Sequence, residues 1–236
     1  ADATLKLSKR WSTSLLAHYE NETKAHDGND DGFVDIPQVE QYNVWNRWTY
    51  MGDHYVFQAG IKVLSETRTS GQANHGGAIH SGDLYKVGID TERYEFFTKN
   101  AYIFNKEKNT NLALILSATL HNQDATYGRK LYNVDQTNVY ASLMFETEFN
   151  PQNSFSAGLS FNYDAYDQHY RLENNTDNPL KAFEKEAVPG AYVQYTLNLN
   201  DKWMVMAGLR GDYSNEHGFF VTPRAHLKYN PNDYVN

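Results

Sequence analysis

From Asp27 to Asp35 the sequence reads Asp-Gly-Asn-Asp-Asp-Gly-Phe-Val-Asp, a spacing suited to a hard cation. Counted from Asp27, side-chain oxygens fall at the first, third, fifth and ninth places, on Asp27, Asn29, Asp31 and Asp35. Gly32 stands sixth, and Phe33 offers a backbone carbonyl at the seventh. Calcium loops use this order because a tight turn at the glycine aims alternate side chains at one ion. The match departs at the twelfth place, where Gln38 stands instead of a bidentate Glu, and Pro37 stiffens the exit. The expected metal ligands are Asp27, Asn29, Asp31, Phe33 and Asp35, binding calcium weakly. A solvated acidic turn is the competing reading, since Asp, Asn and Gly favour turns in any case.

Other reactive residues carry less. His75 and His80 share a glycine-rich loop, and His26, His169 and His217 lie near expected loop ends. Imidazole ligates iron well, so His75 and His80 admit a haem or metal reading, although with nine His some fall in loops by chance. Tyr127, Tyr132, Tyr166, Tyr170 and Tyr213 would offer a large planar ligand a surface, or serve as scaffold. Glu146 and Glu148 share a strand face, where lining a wet lumen is a simpler role than acid/base chemistry. Glu184, Lys185 and Glu186 read as a solvated charge cluster in a loop. No Gly-x-Ser-x-Gly elbow, His-Glu-x-x-His helix or phosphate loop occurs. No catalytic residue is assigned, and no organic cofactor is implied.

The elements that must position these residues have a period of two. Tyr55, Phe57, Ala59, Ile61 and Val63 alternate with Gln58, Gly60 and Lys62, ahead of Glu66 and Arg68. Leu112, Leu114, Leu116, Ala118 and Leu120 form a second apolar row, against Ser117, Thr119 and His121. Similar rows run through 139–146, 155–164 and 191–199. Alternation over about eight to ten residues marks a strand with one apolar and one polar face. Soluble strands average roughly five or six residues, whereas about ten at a steep tilt cross an outer membrane. Short turns at 51–53, 150–153, 200–202 and 230–233 alternate with polar loops at 23–37, 69–84, 124–136, 171–190 and 212–220. That is the up-and-down rhythm of a transmembrane barrel.

Composition agrees. Of 236 residues, 14% are aromatic, with 18 Tyr and 12 Phe, yet hydrophobics total only 40% and mean hydropathy is -0.71. Disordered chains lack aromatics, so this balance needs faces of opposite character. The net charge of -8 argues against nucleic-acid partners. Having no Cys excludes disulfides and Cys-based zinc sites. The longest nearly apolar run, Trp203 to Leu209, falls far short of the roughly 20 residues of a membrane helix. A soluble β-sandwich would also alternate. The barrel is favoured because Tyr55, Phe57, Phe145, Phe149, Trp203 and Tyr229 cap the apolar face beside short turns, as girdles do. Leu112, Leu114, Leu116 and Leu120 should then face lipid, and Lys62, Glu66, Arg68 and Glu146 the lumen.

Two segments carry a family resemblance. Asp31-Gly32-Phe33-Val34-Asp35-Ile36-Pro37, followed by Gln41-Tyr42-Asn43-Val44-Trp45-Asn46-Arg47-Trp48, resembles an early barrel hairpin of TonB-dependent outer-membrane receptors, especially those of Bacteroidota. Phe220-Val221-Thr222-Pro223-Arg224-Ala225-His226-Leu227-Lys228-Tyr229-Asn230-Pro231 is similar to a mid-barrel segment of the same family. The resemblance implies an all-β, antiparallel transmembrane barrel of about 22 strands with a plugged lumen. Residues 1–236 would form one partial barrel domain, about the first half and open, with the plug and the second half lying elsewhere. The implied function is import of a scarce bulky ligand (cobalamin, a ferric chelate or haem) across the outer membrane. The implied partners are outer-membrane lipid, the ligand, a surface lipoprotein, and TonB through the plug. The likeness leans towards the cobalamin-type branch, whose members hold calcium in aspartate-rich external loops. The alternative from another class is a soluble β-rich binding or glycan-processing domain.

Overall fold

A computed structural model describes residues 1–74, 78–79, 85–172, 180–199 and 202–230. Its strands are β1 (Asp2–Lys6), β2 (Trp11–Glu22), β3 (Gln38–Met51), β4 (Tyr55–Gly71), β5 (Ala73–Asn74), β6 (Ala78–Ile79) and β7 (Lys86–Asn105). They continue with β8 (Thr110–Tyr127), β9 (Lys130–Asn150), β10 (Asn153–Arg171), β11 (Leu180–Leu199), β12 (Trp203–Ser214) and β13 (Gly218–Tyr229). All but β5 and β6 join one 11-stranded sheet in sequence order, and β5 pairs with β6 alone. Every pairing within the large sheet is antiparallel. The all-β up-and-down expectation holds.

Register sorts the side chains into two faces. Leu114 lies opposite Asn100 and Leu143, Leu116 opposite Thr98 and Ala141, and Leu120 opposite Tyr94. Leu143 in turn lies opposite Leu159, and Val193 opposite Leu209. Lys62, Glu66, Arg68 and Glu146 fall on the other face, as expected. Exposure is inverted relative to a water-soluble core. Ile61 is 58% exposed and Leu159 59%, while Ser142, Asp212 and Ser214 are buried. Among the described residues only Val34, Ala125 and Val134 are buried hydrophobics. A sandwich would have covered the leucine face with a second sheet. Here that face is open, as a lipid contact must be.

Aromatic pairs mark the edges of this face. Beside the short turns lie Trp11–Tyr50 and Tyr102–Phe104, each with ring centroids 5.0 Å apart, and the stacked pair Trp203–Tyr229 at 4.1 Å. Near the opposite end of β2 and β3, Tyr19 and Tyr42 approach to 4.8 Å. Eight residues separate Trp11 from Tyr19. At about 3.4 Å per residue and a tilt of about 40°, that is roughly 20 Å of height, close to the ~25 Å apolar band of outer-membrane barrels. Polar groups on the apolar face bond to one another. Asn46 Nδ2 donates to Thr13 Oγ1 at 3.2 Å and to Ser14 O at 3.1 Å, and Trp48 Nε1 donates to Asn46 Oδ1 at 2.7 Å. Hydrocarbon offers no substitute partner, so such self-satisfaction is required there.

Three expected loops are corrected. The segment 124–136 is mostly strand, because β8 runs to Tyr127 and β9 starts at Lys130, across a turn in which Gly128 has φ +62°. Within 171–190, β11 begins at Leu180, and within 212–220 only 215–217 lie outside strands. The hairpins continue beyond the lipid, where both faces meet water. Apolar alternation therefore fades while backbone pairing persists. β7 to β11 consequently reach 18 to 21 residues.

Glycines on the polar face make room for rings. A Cβ on Gly158 would meet the Tyr192 ring at 2.4 Å and Leu143 O at 2.8 Å. Gly158→Val should therefore lower the stability of the intact protein by about 1–3 kcal/mol, read from urea unfolding in lipid vesicles. Leu116→Arg, near mid-height on the lipid face, should cost about 2–4 kcal/mol in the same assay, and Ser117→Arg, facing the lumen, much less. Equal costs for the two arginines would refute the assignment of faces.

Candidate functional site

The acidic segment is built as a clamped turn. Asp27 Oδ1 accepts from Asp31 N at 3.1 Å and its Oδ2 from Gly32 N at 2.9 Å. Asp31 Oδ1 accepts from Phe33 N at 2.9 Å, and Asp35 Oδ2 from Gly28 N at 2.7 Å. Asn29 bridges to Asp31 in both directions, donating from Nδ2 at 3.0 Å and accepting from Asp31 N at 3.3 Å. The turn needs positive φ at Asp30 (56°) and Gly32 (83°), which suits the expected glycine position. Gln38 Nε2 donates to Thr23 O and straps the loop instead of pointing at the acidic turn. Among the described residues no three His, Asp or Glu side chains form a metal-holding group.

This turn is fastened to the wall. Phe33 bridges to Gln72, Val34 N donates to Gly71 O at 2.9 Å, and Ala73 N donates to Gly32 O at 2.8 Å. Gln72 then exchanges bonds with Tyr85, donating its N–H to Tyr85 O at 2.8 Å and accepting Tyr85 N at Oε1 at 2.7 Å. Gly71 has φ +124°, and a Cβ there would lie 2.3 Å from Tyr85 O. The 23–37 loop is thus held against the ends of β4 and β7. The residues reading as ligands sit in one place, although their oxygens serve backbone N–H groups.

The polar face is a wall of ion pairs and hydrogen bonds. Glu95 lies 3.5 Å from Lys62 and 2.5 Å from Arg93, and Glu66 is gripped by Arg68 and Gln41. Arg210 holds Asp212 at 2.6 and 2.8 Å and reaches Ser160 at 2.7 Å. Gly190 opens the space for this pair, since a Cβ there would meet Asp212 Oδ1 at 2.1 Å. Higher up, Asn138 donates to Asp164 at 2.9 Å, Asn162 to Asp164 at 2.6 Å, Gln136 to Tyr166 at 2.8 Å and Tyr132 to Gln168 at 2.9 Å. A wall of this kind offers polar groups to water or to a polar ligand.

The residues singled out by type divide as follows. His75 and His80 lie outside the described residues. His26 contributes its carbonyl to Asp35 N at 2.7 Å, His169 lies 3.5 Å from Asp167, and His217 is in the β12–β13 turn. Tyr132, Tyr166 and Tyr170 share the polar face, whereas Tyr213 is on the lipid side opposite Phe219. Tyr127 ends β8. Glu148 accepts from Asn109 at 2.7 Å and Glu146 from Asn111 at 3.5 Å, near a short turn, so each is committed to an amide. Glu184 and Glu186, expected in a loop, lie in β11 on the polar face, with Lys185 on the other. The Arg210–Asp212 pair and the Asn138–Asp164 ladder escaped the sequence reading, and the polar half of each alternation was their only signal.

Comparison with known proteins follows this geometry. Residues 2–236 match the family described as TonB dependent receptor-like, beta-barrel. No curated protein matches the chain in sequence. Among solved structures, the alcaligin outer-membrane receptor FauA of Bordetella pertussis superposes with a TM-score of 0.71 at 15% identity, over 98% of this chain and 38% of that one. A mutant of the ferric enterobactin receptor PfeA of Pseudomonas aeruginosa gives 0.72 at 9% identity, over 98% and 38%. The ferric yersiniabactin uptake receptor FyuA of Yersinia pestis gives 0.60 at 12% identity, over 98% and 42%. The chain thus spans about two fifths of the length of these structures, and at such identities the likeness shows the fold alone. Family members are transporters of the Gram-negative outer membrane, not enzymes, and the chain belongs to the TonB dependent receptor-like β-barrel family.

Proposed function

We propose that this chain forms part of the wall of an outer-membrane receptor that imports a scarce, bulky ligand. The observation that carries the reading is the inverted sheet, apolar towards lipid and lined with ion pairs and amides on the face that would enclose the lumen. A water-filled or plugged passage needs that lining, and a soluble binding domain would have no use for the exposed leucine face. The ligand class is a ferric chelate, haem or cobalamin. Energy comes from the inner membrane through TonB acting on a plug that packs against the polar face, and a surface lipoprotein is a further partner. In cells carrying the intact receptor, uptake of one of these three ligands should exceed that of cells without it, and should vanish when TonB is deleted. Uptake of all three independent of the receptor would overturn the reading.

The calcium reading of Asp27, Asn29, Asp31, Phe33 and Asp35 rests on their spacing and on the left-handed turn at Gly32. Binding would require Asp27 and Asp31 to exchange backbone N–H groups for the ion, which favours weak affinity. The ion would order the 23–37 loop beside the ligand entrance. Calorimetry on the intact receptor should show calcium uptake that Asp31→Ala abolishes. Uptake absent in the wild type, or unchanged in the variant, would leave the segment as a turn only.

A further inference from the structure

The hairpins end at different heights, and the step between two of them makes a notch. β11 pairs with β10 up to Leu180, whereas its ladder with β12 starts only at Gly190. The tip of the β12–β13 hairpin is pinned against this free edge. Asn215 Oδ1 accepts from Ala187 N at 2.6 Å, Asn215 Nδ2 donates to Lys185 O at 3.1 Å, and Ser214 Oγ donates to Glu186 at 2.6 Å. Above the pin is a cavity of about 550 Å³ lined by Asp164, Tyr166, Glu184, Glu186, Glu216 and His217, together with Phe183 and Lys185 of the free β11 edge. It adjoins the ladder of Asn138, Asn162, Gln136, Tyr132 and Gln168 on β9 and β10.

The chemistry of this corner is specific. Its amides and hydroxyls are held in place by bonds to one another, so little side-chain order has to be imposed when a ligand arrives. Capacity is left over. Tyr166 Oη accepts from Gln136, and its own proton meets no acceptor among the described residues. Gln168 accepts from Tyr132, leaving its N–H groups to donate. Carboxylates accept charge-assisted hydrogen bonds from hydroxyl or amide donors, but repel negative charge across the same distance. We propose that the notch and the adjoining ladder contact an uncharged ligand rich in hydroxyl and amide groups, and that the carboxylates exclude polyanionic chelates. This inference rests on the receptor reading and narrows its ligand class.

The test uses the intact, detergent-solubilised receptor and two probes of similar size. One is a ferric trihydroxamate, in which three singly charged groups neutralise the iron. The other is a ferric tris-catecholate, which keeps three negative charges. Binding is read by quenching of Tyr and Trp fluorescence. The neutral chelate should bind at least about tenfold more tightly, as expected where like charges face each other. The triple variant Asp164→Asn, Glu184→Gln, Glu186→Gln should shrink that ratio about fivefold or more. Tyr166→Phe should weaken the neutral probe while leaving the fold, judged by heat-modifiable gel mobility, unchanged. The proposal is overturned if the tris-catecholate binds as well or better, if the triple variant leaves the ratio alone, or if neither probe binds. The receptor reading stands or falls separately, on co-purification of the intact receptor with TonB, which charge changes in the notch should not affect.

Discussion

The structure depends on one requirement: a backbone that crosses hydrocarbon must satisfy every N–H and C=O within the protein. Between the outer edges of β1 and β13, this chain meets it with a ladder that passes from strand to strand through 11 strands. Each strand takes its partners from its neighbours in sequence, so no long crossover interrupts the lipid face. The same requirement extends to side chains. Asn46 stands among Val44, Trp48 and Ile61 and is tolerable there because Thr13 and Ser14 take both its N–H groups and Trp48 donates to its oxygen.

Once the ladder is in place, the pleat separates two environments at no further cost. Residues on one face meet lipid and need only be apolar, with rings at the margins where water begins. Residues on the other face meet one another and water. There unlike charges approach closely, as Lys62 and Glu95 do at 3.5 Å. Partly exposed pairs contribute only about 0–1 kcal/mol each. Glycines at 60, 158 and 190 serve this face by admitting a ring or a guanidinium over the backbone.

The candidate sites lie where the two environments end. Above the lipid the hairpins keep their pairing, so the described walls of the entrance are paired strand. The 23–37 loop is tied to β4 and β7 through Phe33, Gln72 and Tyr85, and β11 overhangs the β12–β13 tip. Both features turn unequal hairpin lengths into shaped surface. A ligand would meet fixed groups on a fixed frame, as selectivity without covalent chemistry requires.

The sequence by itself determined the strand class, the lipid-facing row from Leu112 to Leu120, the lumen placement of Lys62, Glu66, Arg68 and Glu146, and the short turns after β3 and β9, though not the one between β7 and β8. It could do so because lipid and water differ enough to impress a period of two on every crossing segment. Where both faces meet water that contrast is lost, so 124–136, 171–190 and 212–220 read as loops although much of each is strand. The pairing of Glu95 with Lys62 and of Asp164 with Asn138 was equally invisible, since a contact between strands depends on register, which alternation alone does not specify. Tertiary structure alone decided which carboxylate meets which amide, that Asp27 and Asp31 hold backbone N–H groups, and that the notch beside β11 exists. The carboxylate–amide pairs and the notch follow from neighbouring strands being brought to one height, of which single-strand periodicity carries no record, and the Asp27 and Asp31 contacts follow from the local fold of the 27–33 turn.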